Sequence, residues 1–316
     1  MKNILKKLTI DNAILLLVLC MLGWAGNTIA GRLSADEISP MVIVFLRWAI
    51  VSSILFILKY QKILNSLNLL KGKLIWLFFM GAFGYTGFNS LFYISAKYTS
   101  AINLGIIQGT MPAIVLVGSL LFFKEKTNLI QISGLLLTFI GVLILVSQGN
   151  LEILLLLALN YGDLIMFFSC FLYSGFTLGL RKKPNIDPFV LMFFFSITAL
   201  IASFPGILIE NHLNLINWPN KQNDFFIIIY IALVPSLIAQ LFFIRGVELI
   251  GADKASLFIN LVPLFSAFLG IIILNEKLQI FHLFSLIVIL FGIYLFMVLG
   301  ENYKKKVKIC SEFHKT

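Results

Sequence analysis

"MPAIVLVGSLLFFKEK" runs from Met111 to Lys126, and "VPLFSAFLGIIILNEK" runs from Val262 to Lys277. Each reads as an apolar residue, a proline, a long apolar stretch and then Glu-Lys. Pro112 and Pro263, Glu125 and Glu276, and Lys126 and Lys277 are all 151 positions apart. The same offset pairs Ala101 with Ala252 and Gly141 with Gly292. Upstream, with the offset shortened by two or three residues, "LGWAGNTIAGR" (22–32) faces "FLYSGFTLGLR" (171–181), and Pro40 faces Pro188. The chain writes one helix ending twice. The matched proline, Glu-Lys and glycine positions therefore predict two copies of one structural unit.

Composition identifies the medium in which those units fold. Of 316 residues, 60% are hydrophobic, 14% aromatic and 12% charged, with a mean hydropathy of +1.00. Ordinary globular domains carry about 25% charged residues. A soluble core could not hide this much apolar surface, so the expected class is an all-α integral membrane protein. The formal charge of +10 does not point to nucleic acid, because the basic residues lie between apolar segments rather than along one face. A spanning helix needs about 20 mainly apolar residues. Ten candidates meet that requirement: 12–31, 38–58, 74–96, 98–123, 127–147, 162–180, 188–209, 225–244, 254–274 and 280–299. The apolar run Ile153–Leu159 is either an interfacial segment or an early start to the sixth helix. Lys2, Lys6 and Lys7 before an apolar run resemble a signal peptide. The charge-free stretch from Asn12 to Gly31 is nonetheless long enough to span, and it is expected to stay as the first helix.

Orientation follows from Lys and Arg, which concentrate in cytoplasmic loops. With the N-terminus inside, 19 basic residues fall in inside segments and four, Arg32, Lys97, Lys221 and Lys277, fall outside. Both termini are thus expected in the cytoplasm. Five helices per copy is an odd number, so the second copy enters the membrane from the opposite side. Arg32 outside and its counterpart Arg181 inside fit that inversion. The expected units are residues 12–147 and 161–299, followed by a basic cytoplasmic tail, 300–316, suited to anionic lipid. Inverted repeats of this kind carry a binding site near the midplane and alternate access by rocking.

At these residues the chain resembles the EamA-type permeases of the drug/metabolite transporter superfamily. The carrying stretches are "GWAGNTIAGR", "PMVIVFLRW", "FYISAKYTSAINLGIIQGTMP", "GVLIL", "GDLIMFFSCFLYSGFTLGLRK" and "GADKASLFINLVPLFSAFLGIIILNEK", in that order across nearly the whole chain. The resemblance implies ten helices in inverted five-helix repeats. It also implies transport, often export, of a small metabolite or amino acid across a bacterial-type inner (plasma) membrane. The family's second half often begins with Trp where this chain has Tyr173, and the paired late basic residues of the phosphate-sugar branches are missing.

Arg47 is the one formal charge placed near the middle of an expected span, the second. An unpaired ion there costs about 2.5–3.5 kcal/mol by insertion scales, so it must face the bundle interior or water. It either grips a substrate carboxylate through its planar fork or ties helices together. Asn27, Asn89, Gln108, Gln240 and Asn260 also lie deep in spans. At the 151 offset Asn89 matches Gln240, and Gln108 falls one position from the match of Asn260. As single residues they read equally well as interhelical hydrogen bonds, worth about 0.6 kcal/mol each on average; as a set they suit a central wet cavity. Trp24, Tyr85 and Tyr173 are candidate aromatic walls, Trp24 and Tyr173 being repeat counterparts. Pro112 and Pro263 are expected to kink their spans. Glu125 and Glu276 read as solvated helix-end residues beside lysines. The fifth and tenth helices, almost wholly apolar, suit lipid or a homodimer contact.

Cys20, Cys170 and Cys310 provide no disulfide framework, and the scattered histidines and carboxylates suggest no metal site, no cofactor and no mid-span proton relay. The expected function is a secondary transporter or facilitator, not an enzyme. The competing class is an integral-membrane enzyme acting on a lipid-linked or small amphipathic substrate, which would need clustered Asp, His or Arg at one membrane face. A non-transporting structural protein is the third class and has no use for a polar midplane. The orientation makes a direct prediction. Reporter fusions at Asn150 and Asn217 should score as external, and a cytoplasmic score at both would remove the inverted repeat with it.

Overall fold

The computed structural model describes residues 12–34, 37–99, 101–156, 160–274, 279–300 and 302–303. Glu276, Lys277, the tail lysines and the side chain of Arg32 lie outside the described residues. Among the described residues there is no strand. The main helices are α1 (Ala13–Ser34), α2 (Pro40–Leu70), α3 (Leu74–Ser95), α4 (Ala101–Phe123), α5 (Leu129–Val146), α6 (Tyr161–Lys182), α7 (Pro188–His212), α8 (Gln222–Ile250), α9 (Ala252–Leu274) and α10 (Ile280–Leu299). A short helix, Leu151–Leu155, lies between α5 and α6. Nine segments among the described residues are long and apolar enough to cross a membrane. The longest, Pro40–Ser95, has 56 residues and contains both α2 and α3. Arg47 and Asn89, 42 positions apart within it, are hydrogen-bonded at 2.8 Å. A straight helix would separate them by about 63 Å at 1.5 Å per residue, so the segment doubles back on itself.

Local sequence explains most of the helix ends. α2 and α7 begin with proline, whose missing N–H would have had no helical partner at that position. Reciprocal capping pairs start α5 (Asn128 with Gln131) and α6 (Asn160 with Asp163), and at the start of α10 the Gln279 N–H donates to His282 Nδ1 at 3.0 Å. Gly251, at φ +86°, makes the left-handed turn between α8 and α9. α2 continues to Leu70, well past the expected end near residue 58, after a break in helical geometry at Lys59. On the extension, exposed Lys62 pairs with Asp187 at 2.7 Å.

Besides α2, with its break at Lys59, and α10, which ends in a π-helical turn at Leu295–Leu299, four helices are interrupted, and they form two matched pairs. α3 and α8 each contain a π-helical turn, Ala82–Gly87 and Ala232–Ile238, at an offset of 150–151. α4 is broken at Gly109–Thr110, and α9 passes through a 3-10 turn at Phe258–Asn260, 149–150 positions apart. Pro112 and Pro263 sit in the first turn after these breaks. They begin new helical stretches, where a missing N–H costs little, and do not kink a continuous span.

Pairing across the two copies builds the core. α2 packs along α7, and α5 packs along α10. The α5–α10 contact is close: a Cβ on Gly134 would lie 2.7 Å from the Gly292 carbonyl oxygen, and one on Gly292 would lie 2.7 Å from that of Gly134. These two apolar helices were expected to face lipid or a second copy. They bury one face on each other and leave Leu136 and Ile287 exposed on the outside.

Long-range hydrogen bonds sort the loops into two ends. At one, Glu37 pairs with Lys221 at 2.5 Å, Asn217 N–H donates to Ser39, and Ser95 donates to the Gly162 carbonyl. At the other, Lys62 meets Asp187, Arg181 meets Glu125, and Asn128 donates to the Gly300 carbonyl. The glycine contact yields a prediction. Gly134→Val or Gly292→Val forces two backbones apart and should cost about 1–3 kcal/mol, seen as a lower melting temperature in detergent. Gly175→Val, with no atom within 4 Å of its added Cβ, should melt like the parent apart from a helix-propensity effect.

Candidate functional site

The site begins with a proline. Pro235 in the π turn of α8 has no N–H, so the Ile231 carbonyl cannot take the ordinary bond from four residues on, and the helix widens there. The Ser236 hydroxyl donates to that carbonyl at 2.5 Å, and its oxygen accepts from Arg47 Nε at 2.7 Å. On α3 the arrangement repeats with an amide. Asn89 Nδ2 donates to the Tyr85 carbonyl at 2.6 Å inside the other π turn, and Asn89 Oδ1 accepts from Arg47 Nη1 at 2.8 Å. Each interrupted helix thus uses one polar side chain to settle its own backbone and to hold the guanidinium. Arg47 is 3% exposed, and the Trp48 ring centroid lies 5.1 Å from its Cζ. Among the described residues no carboxylate forms an ion pair with it.

Arg47 lines a central cavity of about 60 Å³ together with Trp24, Asn27, Asn89, Gln108, Tyr173 and Gln240. Seven of the nine residues singled out from the sequence therefore meet in one place. The Tyr173 hydroxyl donates to Gln240 Oε1 at 3.1 Å, and its ring meets Trp24 edge-on, 5.5 Å between centroids. Phe88 and Phe243 close the same aromatic wall, 5.0 and 5.7 Å from Tyr173. Asn27 Oδ1 is buried there without a hydrogen-bond partner among the described residues.

The other two residues stand apart from the cavity lining. Tyr85 is fully buried one layer back, stacked on Trp48 at 4.5 Å with its hydroxyl on the Met192 sulfur. Asn260 is fully buried in the 3-10 turn of α9, and neither of its amide atoms has a partner among the described residues. Its neighbours Ile259 and Val262 reach the cavity instead. The sequence reading missed Ser236, Trp48, Thr28 and Phe92. Ser236 had a legible signal, a hydroxyl next to a mid-span proline; Trp48 adjoined the buried arginine.

The cavity relates differently to the two ends. Thr28, Phe92, Gln108 and Val262 are shared with vestibules of about 240 and 210 Å³ that reach Gln148, His282, Lys97 and Thr99. At the opposite end a vestibule of about 550 Å³, lined by Glu125, Arg181, Lys183 and Asp253, shares no lining residue with the cavity.

Comparison with known proteins settles the family. Residues 11–147 and 160–298 each match the EamA-like transporter family. The chain belongs to that family. It is 28% identical over 217 residues, 68% of this chain and 70% of the relative, to a Bacillus subtilis protein named as the uncharacterized transporter YyaM. An uncharacterized transporter of Archaeoglobus fulgidus is 26% identical over 89% of this chain and 96% of its own length. A solved crystal structure superposes with a TM-score of 0.75 at 14% identity, covering 92% of this chain and 98% of that one, and so shares the fold. As an EamA protein, the chain is a multi-pass integral membrane protein with a membrane-transport fold.

The proline-serine link predicts a thermodynamic coupling. Ser236→Ala removes the hydroxyl donor to the Ile231 carbonyl, leaves Arg47 Nε unpaired, and should cost about 1–3 kcal/mol. Pro235→Ala restores a backbone donor, so the serine change should cost less in that background. Additive effects on detergent melting in the double-mutant cycle would refute the link.

Proposed function

We propose that this EamA protein is a secondary transporter that moves a small carboxylate-bearing metabolite, such as an amino acid, by alternating access. In this reading Pro40–Ser95 crosses twice, the chain makes ten crossings, and residues 12–147 and 161–299 are inverted five-helix halves. Both termini face the cytoplasm of a bacterial-type inner membrane, and the basic tail rests on anionic lipid. The direction that fits the family resemblance is export.

The observation that carries the reading is Arg47. It lines a cavity, and its hydrogen-bond partners among the described residues, Asn89 and Ser236, are both neutral. A guanidinium has five donors, and those two bonds engage two of them. A carboxylate is the natural complement, since charge-assisted bonds to a planar fork are the strong ones. α4 and α9 also restart beside the cavity at Met111 and Leu261, and helix starts favour anions. Asn27 Oδ1 offers an acceptor for an ammonium group, and Trp24 and Tyr173 offer aromatic faces. A cavity of about 60 Å³ holds only a few waters, so a metabolite enters when the halves move apart.

A thermal-shift screen of purified protein against amino acids, nucleosides and vitamins tests this directly. Ligands with a free carboxylate should raise the melting temperature, and their amides should not. Arg47→Leu should insert in the membrane yet lose the shift and counterflow in proteoliposomes. Arg47→Lys should also be impaired, because an ammonium lacks the fork. Equal shifts from acid and amide, or full transport by the leucine variant, would sink the proposal.

A further inference from the structure

The central cavity stops short of the Arg181 end, and two helices carry the closure in steps of four residues. On α4, Met111 lines the cavity, Val115 is fully buried one turn on, and Ser119, also fully buried, ends the row. On α6 the row is Tyr173 at the cavity, then fully buried Thr177, then Arg181. Eight residues of α-helix rise about 12 Å, so a plug two turns thick separates the cavity from the vestibule beyond.

An ion-pair network caps that plug. Arg181 Nη1 meets Glu125 Oε1 at 2.6 Å, and Nη2 meets Asp253 Oδ1 at 3.1 Å and Ser119 Oγ at 3.0 Å. The Ser119 hydroxyl donates to Asp253. The guanidinium also lies over the Phe123 ring, 4.7 Å from its centroid. Glu125, expected to be a solvated helix-end residue, is therefore held by an arginine of the other repeat. The contacts draw α4 of the first copy onto α6 and α9 of the second. Around them, Lys183 and Arg245 share Glu248, at 3.4 and 3.1 Å, and Lys254 lines the same vestibule.

Two features make this a releasable fastening. The side chains are 16% (Arg181), 14% (Asp253) and 45% (Glu125) exposed, and they face a vestibule of about 550 Å³. Ion pairs within reach of water are individually weak, whereas breaking a dry pair leaves a costly orphan charge. The network also lies on the closed side only, opposite the end whose vestibules share Thr28, Phe92 and Gln108 with the cavity.

We propose that Arg181, Glu125, Asp253 and Ser119 form a latch that holds one end shut while the cavity communicates with the Lys97 end, and that opening toward the Arg181 end breaks it. The latch rests on the alternating-access reading, and its test needs no substrate. In a background without Cys20, Cys170 and Cys310, Thr177→Cys reports on the plug and Leu104→Cys on the opposite vestibules. Each is reacted with a membrane-impermeant methanethiosulfonate in right-side-out and inside-out vesicles. With the latch intact, Leu104→Cys should react from its own side and Thr177→Cys should be protected. Arg181→Gln should raise labelling of Thr177→Cys about tenfold and lower that of Leu104→Cys, as a shift between two states demands. Glu125→Gln combined with Asp253→Asn should do the same if Arg181→Gln fails to insert. Rates that stay unchanged, or that rise together at both reporters, overturn the latch whatever the ligand screen shows.

Discussion

One buried charge organises the middle of this molecule. A guanidinium in a bilayer-spanning helix must be supplied with acceptors from protein, because lipid has none. Arg47 obtains them from Asn89 and Ser236, one on α3 and one on α8. Those helices belong to different copies of the repeat, so meeting the charge also fixes how the copies sit together. The partners are neutral, which leaves the site with net positive character in a low-dielectric setting. Trp24, Tyr173 and Phe88 then pack around it as walls.

The two copies share more than their sequence punctuation. π turns recur in α3 and α8 at offsets of 150–151 residues, and breaks recur in α4 and α9 at offsets of 149–150. Irregular backbone at membrane depth survives only where it is buried in protein or lines a cavity. All four interruptions lie around the central cavity, with Asn89, Pro235, Met111 and Ile259 at or near them in its lining. α5 and α10 carry no break facing that cavity and serve as a closely packed pair at the periphery.

How much of this the sequence disclosed depended on which force was at work. Spans were legible because the bilayer demands long apolar runs, and the repeat was legible because proline and glycine mark backbone that cannot vary freely. Polar residues such as Gln108 and Gln240 were legible as a set, since a side chain at depth needs a polar neighbour. Their facing was not: from Leu257 onward α9 is apolar apart from Asn260 and Ser266, so nothing in its pattern says that Ile259 and Val262, rather than Asn260, meet the cavity. The π turns left no periodic signal, and only Pro235 hinted at one. Glu125 read as solvated because a charge at a helix end usually is; its partner Arg181 is 56 residues away, a distance that spacing rules do not reach. The extension of α2 to Leu70 was hidden for a related reason, as Lys59 and Lys62 mark the end of the apolar run without ending the helix.

The π turns have a further consequence, concerning angular phase. A π turn takes in one residue more than an α turn, and each residue of α-helix advances the side-chain direction by about 100°. α3 and α8 therefore carry their second halves rotated relative to a regular helix of the same length. Asn89 and Gln240 lie just beyond the two turns, so both point where they do because of a residue their helices have absorbed. Loss of a single residue from either turn would leave hydropathy, length and composition almost unchanged. It would swing the following half-helix through roughly a quarter of a circle, carrying its amide off the axis that the two halves share. In a chain this uniformly apolar, the count of residues between fixed points holds information that their identities do not.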